Sequence, residues 1–307
     1  MDSIPGIDNV VLRAKIVSAM RAFFDARGFV EVDTPVRIAA PAPEPHIDCP
    51  EVFAAGRNAD GRGGFLRASP ELQMKKLLAA GMGRIYQIGP CFREGERGRR
   101  HNPEFTMLEW YRADAGYEEV MADAEALVAG LFAAFPERVA AEVADSAGRP
   151  FRRLQVRDAY RTLAEWDPFE NWDADRFDFD MATKIEPGLP REPTFLVDYP
   201  PAAASLSRIA GPEPVHAERW ELYVGGVELA NAFSELTDPE EQRRRFEAAR
   251  DERRLLGEAD YPVDEEFLSA LGEMRPSGGV ALGVDRLVML LAGENAISAV
   301  RVGDEGV

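Results

Sequence analysis

The run FREGERGRRHNPEFTMLEWY, Phe92 to Tyr111, places an arginine, a charged turn and a returning strand within twenty residues. A second run, GVALGVDRLVML at Gly279 to Leu290, sets Arg286 just after a glycine-flanked turn. Arginine is permanently charged, and its planar fork of donors suits phosphate oxygens better than the point charge of lysine. Arg93 and Arg286 therefore read as a clamp on a polyphosphate. Neither run has the P-loop spacing Gly-x-x-x-x-Gly-Lys-Ser/Thr, and no Gly-x-Gly-x-x-Gly opens a predicted helix, so the common nucleotide cradles are absent.

The 307 residues allow one large domain or two small ones, and either buries an ample core. Hydrophobic residues at 46% and charged residues at 29% are ordinary for a globular protein, but 36 Lys plus Arg against 54 Asp plus Glu leave a net charge of −18. Such a surface repels a polyphosphate chain unless basic residues are segregated, which disfavours broad nucleic-acid binding yet leaves room for a local arginine site. Cys49 and Cys91 are the only cysteines, too few for a disulfide framework or a structural zinc site, and the three histidines show no ligand spacing with them. A reducing cytoplasm is the expected setting. No stretch reaches the roughly 18 apolar residues of a membrane helix, so no membrane association is expected.

Leu12, Ile16, Met20, Phe23 and Phe24 recur at helical spacing, Gly28 stands where a C-cap belongs, and Phe29 to Val32 reads as a short strand closed by Thr34-Pro35. Residues 39 to 64, rich in Pro, Gly and Ala, predict loops or hairpins. FLRASPELQMKKLLAAG then predicts a strand, a turn and a helix with Ser69 as N-cap and Pro70 in its first turn. Apolar positions 120, 124, 127, 128, 131 and 132 define a helix over Tyr117 to Phe135. Strands are expected at Trp220 to Val224 and Val227 to Ala230, followed by a charged helix from about Pro239 to Leu256 on which Arg243, Arg244 and Arg245 form a solvated face.

Residues 92 to 111 and 279 to 290 resemble motifs 2 and 3 of class II aminoacyl-tRNA synthetases: a strand, loop and strand carrying an arginine, and a strand and helix with Gly-x-Asp-Arg. HNPEFTMLEWY, Glu-Leu-Ala-Asn at Glu228 to Asn231 and Ser-Glu-Leu-Thr-Asp at Ser234 to Asp238 narrow the likeness to the lysyl branch. The helix, Gly28, strand and Pro35 resemble motif 1, which implies a homodimer. The fold implied is α+β, an antiparallel sheet flanked by helices, as one catalytic domain over residues 1–307 with an insertion at about 137–215 packed beside the sheet.

The resemblance implies ATP and Mg2+, and a substrate carboxylate that attacks the α-phosphorus without needing a base. It gives catalytic roles to Arg93, on the α-phosphate and substrate carboxylate, and to Arg286, on the γ-phosphate of a bent ATP. Glu94, Gly95, Asn102, Phe105, Glu228, Leu229 and Gly283 would complete the nucleotide site, with Phe105 stacking on adenine unless it is a core residue of its strand. Glu228 and Glu235 would supply hard oxygen ligands for Mg2+ unless they are surface carboxylates. Ser69, Pro70, Glu71, Glu109, Tyr111, Glu235 and Ala281 would form an acidic pocket for an amino acid bearing two ammonium groups. Glu109 and Tyr111, two apart on a strand, share one face. One departure stands out: Gly95 occupies the place of the motif 2 glutamate that reads adenine, leaving Glu94 or Glu96 to compensate.

Motif 1 begins near Val11, so no anticodon-binding domain precedes it here, and the charge opposes tRNA. In this respect the chain resembles the stand-alone ligases that activate (R)-β-lysine and join it to a lysine side chain of elongation factor P. Ala281 stands where lysyl-tRNA synthetases have glycine, and its methyl would crowd an α-amino group while tolerating a β-amino group, a discrimination of about 1–3 kcal/mol. Two other readings are a ligase that releases a free aminoacyl product and a non-catalytic regulatory paralogue. The acidic pocket disfavours the first, and the retained Arg93, Arg286, Glu228 and Glu235 disfavour the second.

Overall fold

The computed structural model describes residues 5–53, 63–136, 148–211 and 215–302. Its strands are β1 (Val30–Glu31), β2 (Arg37–Ile38), β3 (Glu51–Val52), β4 (Gly64–Leu66), β5 (Arg84–Phe92), β6 (Glu104–Ala113), β7 (Arg152–Gln155), β8 (Thr194–Tyr199), β9 (Ile209–Ala210), β10 (His216–Val224), β11 (Val227–Ser234) and β12 (Ser277–Gly283). The main sheet runs β1-β5-β6-β12-β11-β10-β8-β7, with β9 pairing on β10, and β2-β4-β3 form a small second sheet. The six central strands are antiparallel, whereas β1 joins β5 and β7 joins β8 in parallel. The expected antiparallel sheet is thus bordered at each end by a parallel edge strand.

Three helices cover one face: α1 (Ile7–Asp25), α3 (Tyr117–Ala134) and the motif 3 helix Val284–Leu291, while α2 (Glu71–Ala79) and the helix Pro239–Leu256 lie elsewhere. Leu12, Ile16, Met20 and Phe24 of α1 and Val120, Leu127 and Val128 of α3 pack with Leu108, Trp110, Trp220, Leu222, Val280 and Leu282 of the strands. Alternation then sends the intervening strand residues to the opposite face, where the candidate site lies. The α1 helix ends at Asp25, and Gly28 takes φ +73° two residues past its cap. The strand expected at Phe29 to Val32 is only Val30–Glu31, extended by a bond from Val32 N to Tyr86 O at 2.8 Å.

The stretch expected as an insertion at about 137–215 shares the main sheet. Its β7 and β8 extend the sheet, and Val156, Tyr160, Phe177, Leu196 and Tyr199 build a second core that also includes Tyr223. Residues 137–147 and 212–214 of it lie outside the described residues.

Two buried charges tie motifs together. Arg67, 1% exposed, donates to the carbonyls of Thr34 and Pro90 and so joins the motif 1 turn to the end of β5. Asp285, 2% exposed, accepts from Arg13 Nη1 at 2.5 Å, from Arg301 Nη1 at 3.2 Å and from the amide of Thr106 at 2.8 Å. Removing one partner of a buried ionic cluster leaves the others unpaired, which costs about 3–5 kcal/mol. Asp285→Ala should therefore lower the unfolding free energy by about that amount in urea titration; a loss within about 0.5 kcal/mol, as at an ordinary surface site, would show that the cluster does not hold the motifs together.

Candidate active site

The sheet face opposite the helices carries the charged residues, and one irregularity sets its pattern. Gly225 and Gly226, both at positive φ, close the β10–β11 hairpin, as a two-residue primed turn requires. Leu222 pairs with Ala230 but Tyr223 pairs with Glu228, so Leu229 is an extra, bulged residue. The bulge changes the phase of β11. Glu228 and Asn231, three apart, consequently face the same cavity, together with Glu221 of β10.

That cavity has a volume of about 390 Å³ and is lined by residues of both motifs. Arg93 lies over the Phe105 ring at 5.2 Å and pairs with Glu96 at 3.3 Å, while its Nε is buried without a hydrogen-bond partner. Arg286 is held by the motif 2 loop: Nε donates to Arg100 O at 3.2 Å and Nη2 lies 2.6 Å from His101 Nε2. Burial, and next the charge of Arg286, hold His101 below the usual histidine range, so its neutral ring receives that donor. Arg286 Nη1 also meets Glu228 Oε2 at 3.1 Å. Asn102, Phe105, Leu229, Ala281 and Gly283 line the same cavity, and Asn102 Nδ2 donates to Glu104 O at 2.8 Å.

Glu94 and Gly95, expected at the nucleotide, are exposed and outside the cavity lining. Gly95 at φ +75° turns the chain so that Glu96 enters the cavity instead.

A second, acidic cluster lies beside it. Ser69 Oγ and Tyr111 OH both bond the carboxylate of Glu109, the latter at 2.9 Å. The Lys75 ammonium sits between Glu71 and Glu235, at 2.5 Å from Glu235 Oε2. Burial opposes its charge, yet Glu235 and Glu71 hold it above the ordinary lysine range. Gly279 lies beneath: a Cβ there would come within 2.2 Å of Glu235 Oε1 and 2.3 Å of the Tyr111 ring, so only glycine leaves room for both. Ser69 caps α2 in effect, its hydroxyl accepting from Glu71 N at 2.9 Å, although the helix starts one residue later than expected, with Pro70 at the cap. Ser69 and Glu71 line a small adjoining pocket, and Pro70 is buried behind them. Burial first, then the charge of Glu71, push the Glu109 carboxyl up to about 8. Burial raises Glu235 to about 7 against the pull of Lys75.

Of the two expected metal ligands, Glu228 lies in the arginine-lined cavity and Glu235 in the acidic cluster. Glu235 is paired with Lys75, Glu228 with Arg286 and Glu221 with Arg219, and Glu221 lines the same cavity as Glu228. Burial and then the charge of Glu221 raise the Glu228 carboxyl, as expected for neighbouring acids that a cation would stabilise. Among the described residues no group of three or more His, Cys, Asp or Glu side chains is arranged to hold a metal. The carboxylates of this cavity, Glu221 and Glu228 among them, fit Mg2+, which takes one or two carboxylates and completes its shell with water and phosphate oxygens.

The family model for class II tRNA synthetases (D, K and N) matches residues 7–302. The chain belongs to this class II synthetase family. Among its relatives, the elongation factor P–(R)-β-lysine ligase of Proteus mirabilis is 40% identical over 96% of this chain and 94% of its own length. The proteins of the same name from Edwardsiella ictaluri and Yersinia enterocolitica are 39% and 38% identical, covering 97% and 96% of this chain and 94% of each relative.

Several residues of this synthetase site were not anticipated. Glu221 and Asn231 depend on the bulge; Asn231 Oδ1 is buried in the cavity wall without a partner. Lys75 falls four residues after Glu71 on α2, a spacing that does bring two side chains together, and this signal was available. An ammonium held at Glu109 would need its ionised form, so a raised carboxyl would have to lose its proton first. The KM for a diamino acid should fall as pH rises from about 6 to about 8.5 and then level, following Glu235 and Glu109. Glu109→Gln should raise KM about 10- to 100-fold at pH 8 and leave only the limb near 7; a native KM independent of pH over this range would remove Glu109 from contact with the ammonium.

Proposed function

We propose that this protein activates (R)-β-lysine with ATP to an acyl adenylate and transfers the β-lysyl group to a lysine side chain of elongation factor P. The observation that carries this reading is the juxtaposition of two sites: an arginine-clamped cavity and, beside it, an acidic cluster holding a buried ammonium, that of Lys75. The names of relatives 36–40% identical over nearly their whole length support it.

The substrate carboxylate is already anionic, so activation is a matter of positioning and charge stabilisation. Arg93, with a free buried Nε, is placed to meet the α-phosphate and the carboxylate as oxygen charge develops. Arg286, oriented by Arg100 and His101, is placed to hold the terminal phosphate. The Phe105 face beneath Arg93 suits the adenine ring, with Asn102 beside it and Glu96 placed to accept from its amino group. Glu228 and Glu235, with Glu221 beside Glu228 in the cavity, would hold Mg2+, which when bound neutralises phosphate charge. Glu71, Glu109, Tyr111 and Glu235 receive the amino groups, and Ala281, paired with Glu109 and Asn231 and lining the cavity, adds the methyl that disfavours an α-amino group.

The same reading takes the chain as one catalytic unit acting on a protein and not on tRNA, in keeping with its charge of −18. Exposed Ile7, Val10 and Val11 of α1 and Val30 of β1 favour a homodimer that covers them. No helix among the described residues is long and apolar enough to cross a membrane, and Cys49 and Cys91 are free and buried, which suits a cytoplasmic enzyme. Incubating the protein with Mg-ATP, elongation factor P and either amino acid, followed by intact-mass spectrometry, tests the proposal. A one-lysyl mass gain is expected, larger with (R)-β-lysine than with α-lysine, lost in Arg93→Ala, and less selective in Ala281→Gly. No gain with either amino acid on a competent acceptor would overturn it.

A further inference from the structure

A second chamber of about 410 Å³ opens off the nucleotide cavity, and the two share Glu44, Arg219, Glu221 and Glu228. Its lining includes none of Glu71, Glu109, Tyr111, Glu235 or Ala281, so it is separate from the amino-acid pocket. One wall is the helix Pro239–Leu256; the other is the 156–203 layer, with Trp172, 40% exposed, and Asp178 at the outer rim. The chamber therefore leads from the surface to the edge of the site where an adenylate would form.

Its chemistry points to a cation. Of the two arginines that reach it, Arg219 is paired with Glu221 at 2.5 Å, and Arg245 with Glu241 at 2.8 Å and with the carbonyls of Ser205 and Ser207. Glu44, Asp178 and Glu186 add negative charge, which disfavours departing pyrophosphate and favours an ammonium. Independently, Gln242 is 1% exposed, lines the chamber, and leaves both its amide oxygen and its amide nitrogen without a hydrogen-bond partner. A buried amide is normally satisfied, so this one awaits a polar group from outside. Trp172, Phe177, Tyr199 and Tyr223 supply faces for an aliphatic stem.

We propose, building on the ligase reading above, that this chamber admits the acceptor lysine side chain of the protein substrate, which passes Trp172 and Asp178, meets Gln242, and presents its amine to the acyl adenylate beside Glu44. Glu44 occupies the junction and also borders the small pocket containing Ser69 and Glu71. Its backbone is fixed by Arg253, fully buried, whose Nη1 donates to Glu44 O at 2.8 Å and whose Nη2 donates to Asp48 Oδ1 at 2.5 Å. The Glu44 carboxylate takes one proton from the acceptor ammonium. The freed lone pair attacks the acyl carbon, forming the C–N bond, and the bond from that carbon to the phosphate oxygen breaks with its electron pair leaving on AMP. The nitrogen's second proton leaves to water through the chamber. Burial holds the Glu44 carboxyl above the usual range, which brings it nearer to an amine as a proton acceptor.

The test separates activation from transfer. ATP–pyrophosphate exchange with (R)-β-lysine, without elongation factor P, reads activation; the rate of mass gain on elongation factor P reads transfer. Asp178→Asn, Trp172→Ala and Gln242→Leu should each lower kcat/KM for elongation factor P at least tenfold while exchange stays within twofold. The two rim variants alter exposed side chains, so the test stands even if Gln242→Leu fails to fold. Transfer unchanged in the rim variants would overturn the proposal by placing the acceptor elsewhere. An equal rise in the exchange KM for (R)-β-lysine would overturn it by giving the chamber to the amino acid. Absence of exchange in the unaltered protein would instead strike the ligase reading itself, and this proposal with it.

Discussion

Alternation along β6, β12, β11 and β10 is the constraint on which this structure depends. Leu108 and Trp110 of β6 enter the core, while Glu109 and Tyr111 between and beyond them enter the site, and all four are nearly fully buried. A slip of one residue would drive Glu109 into the apolar layer and Trp110 into the ionised one, so the register is strongly specified. Gly279, facing Tyr111 across the strand pair, supplies the missing volume in which Tyr111 and Glu235 meet.

Electrostatics follow from that separation of faces. Four cations of the site are held by carboxylates: Arg93 by Glu96, Arg286 by Glu228, Arg219 by Glu221 and Lys75 by Glu235. Paired in this way, buried charges avoid the large cost of an isolated ion. Binding of a triphosphate or an ammonium then exchanges partners instead of creating charge in a dry cavity. Although the chain carries a net charge of −18, four arginines, Arg93, Arg100, Arg219 and Arg286, line one cavity.

Much of this was legible in local pattern. Glu109 and Tyr111 share a face because strand parity says so, and the helices α1, α3 and Pro239–Leu256 follow their apolar spacing or their caps. At β11 simple parity does not hold, because the Leu229 bulge brings Glu228 and Asn231 to one cavity, which Glu221 also lines. At the motif 2 turn Glu94 and Glu96 were both open, and in the fold Glu96 lines the cavity while Glu94 is exposed, with Gly95 between them at positive φ. The 137–215 stretch showed weak periodicity because β7 is only four residues long and β8 is buried on both faces.

The sequence by itself determined the motif strands and helices from period and spacing, and through the resemblance of its motifs the α+β class and the candidates Arg93, Arg286, Glu109 and Tyr111, because each motif lies within a short segment. Tertiary structure alone decided that Lys75 also neutralises Glu235, that Asp285 joins α1 to motif 3, and that Glu44 and Gln242 line one chamber. Those contacts join residues whose partners come from other elements or whose depth depends on them. Their energies arise from burial, which no local pattern measures.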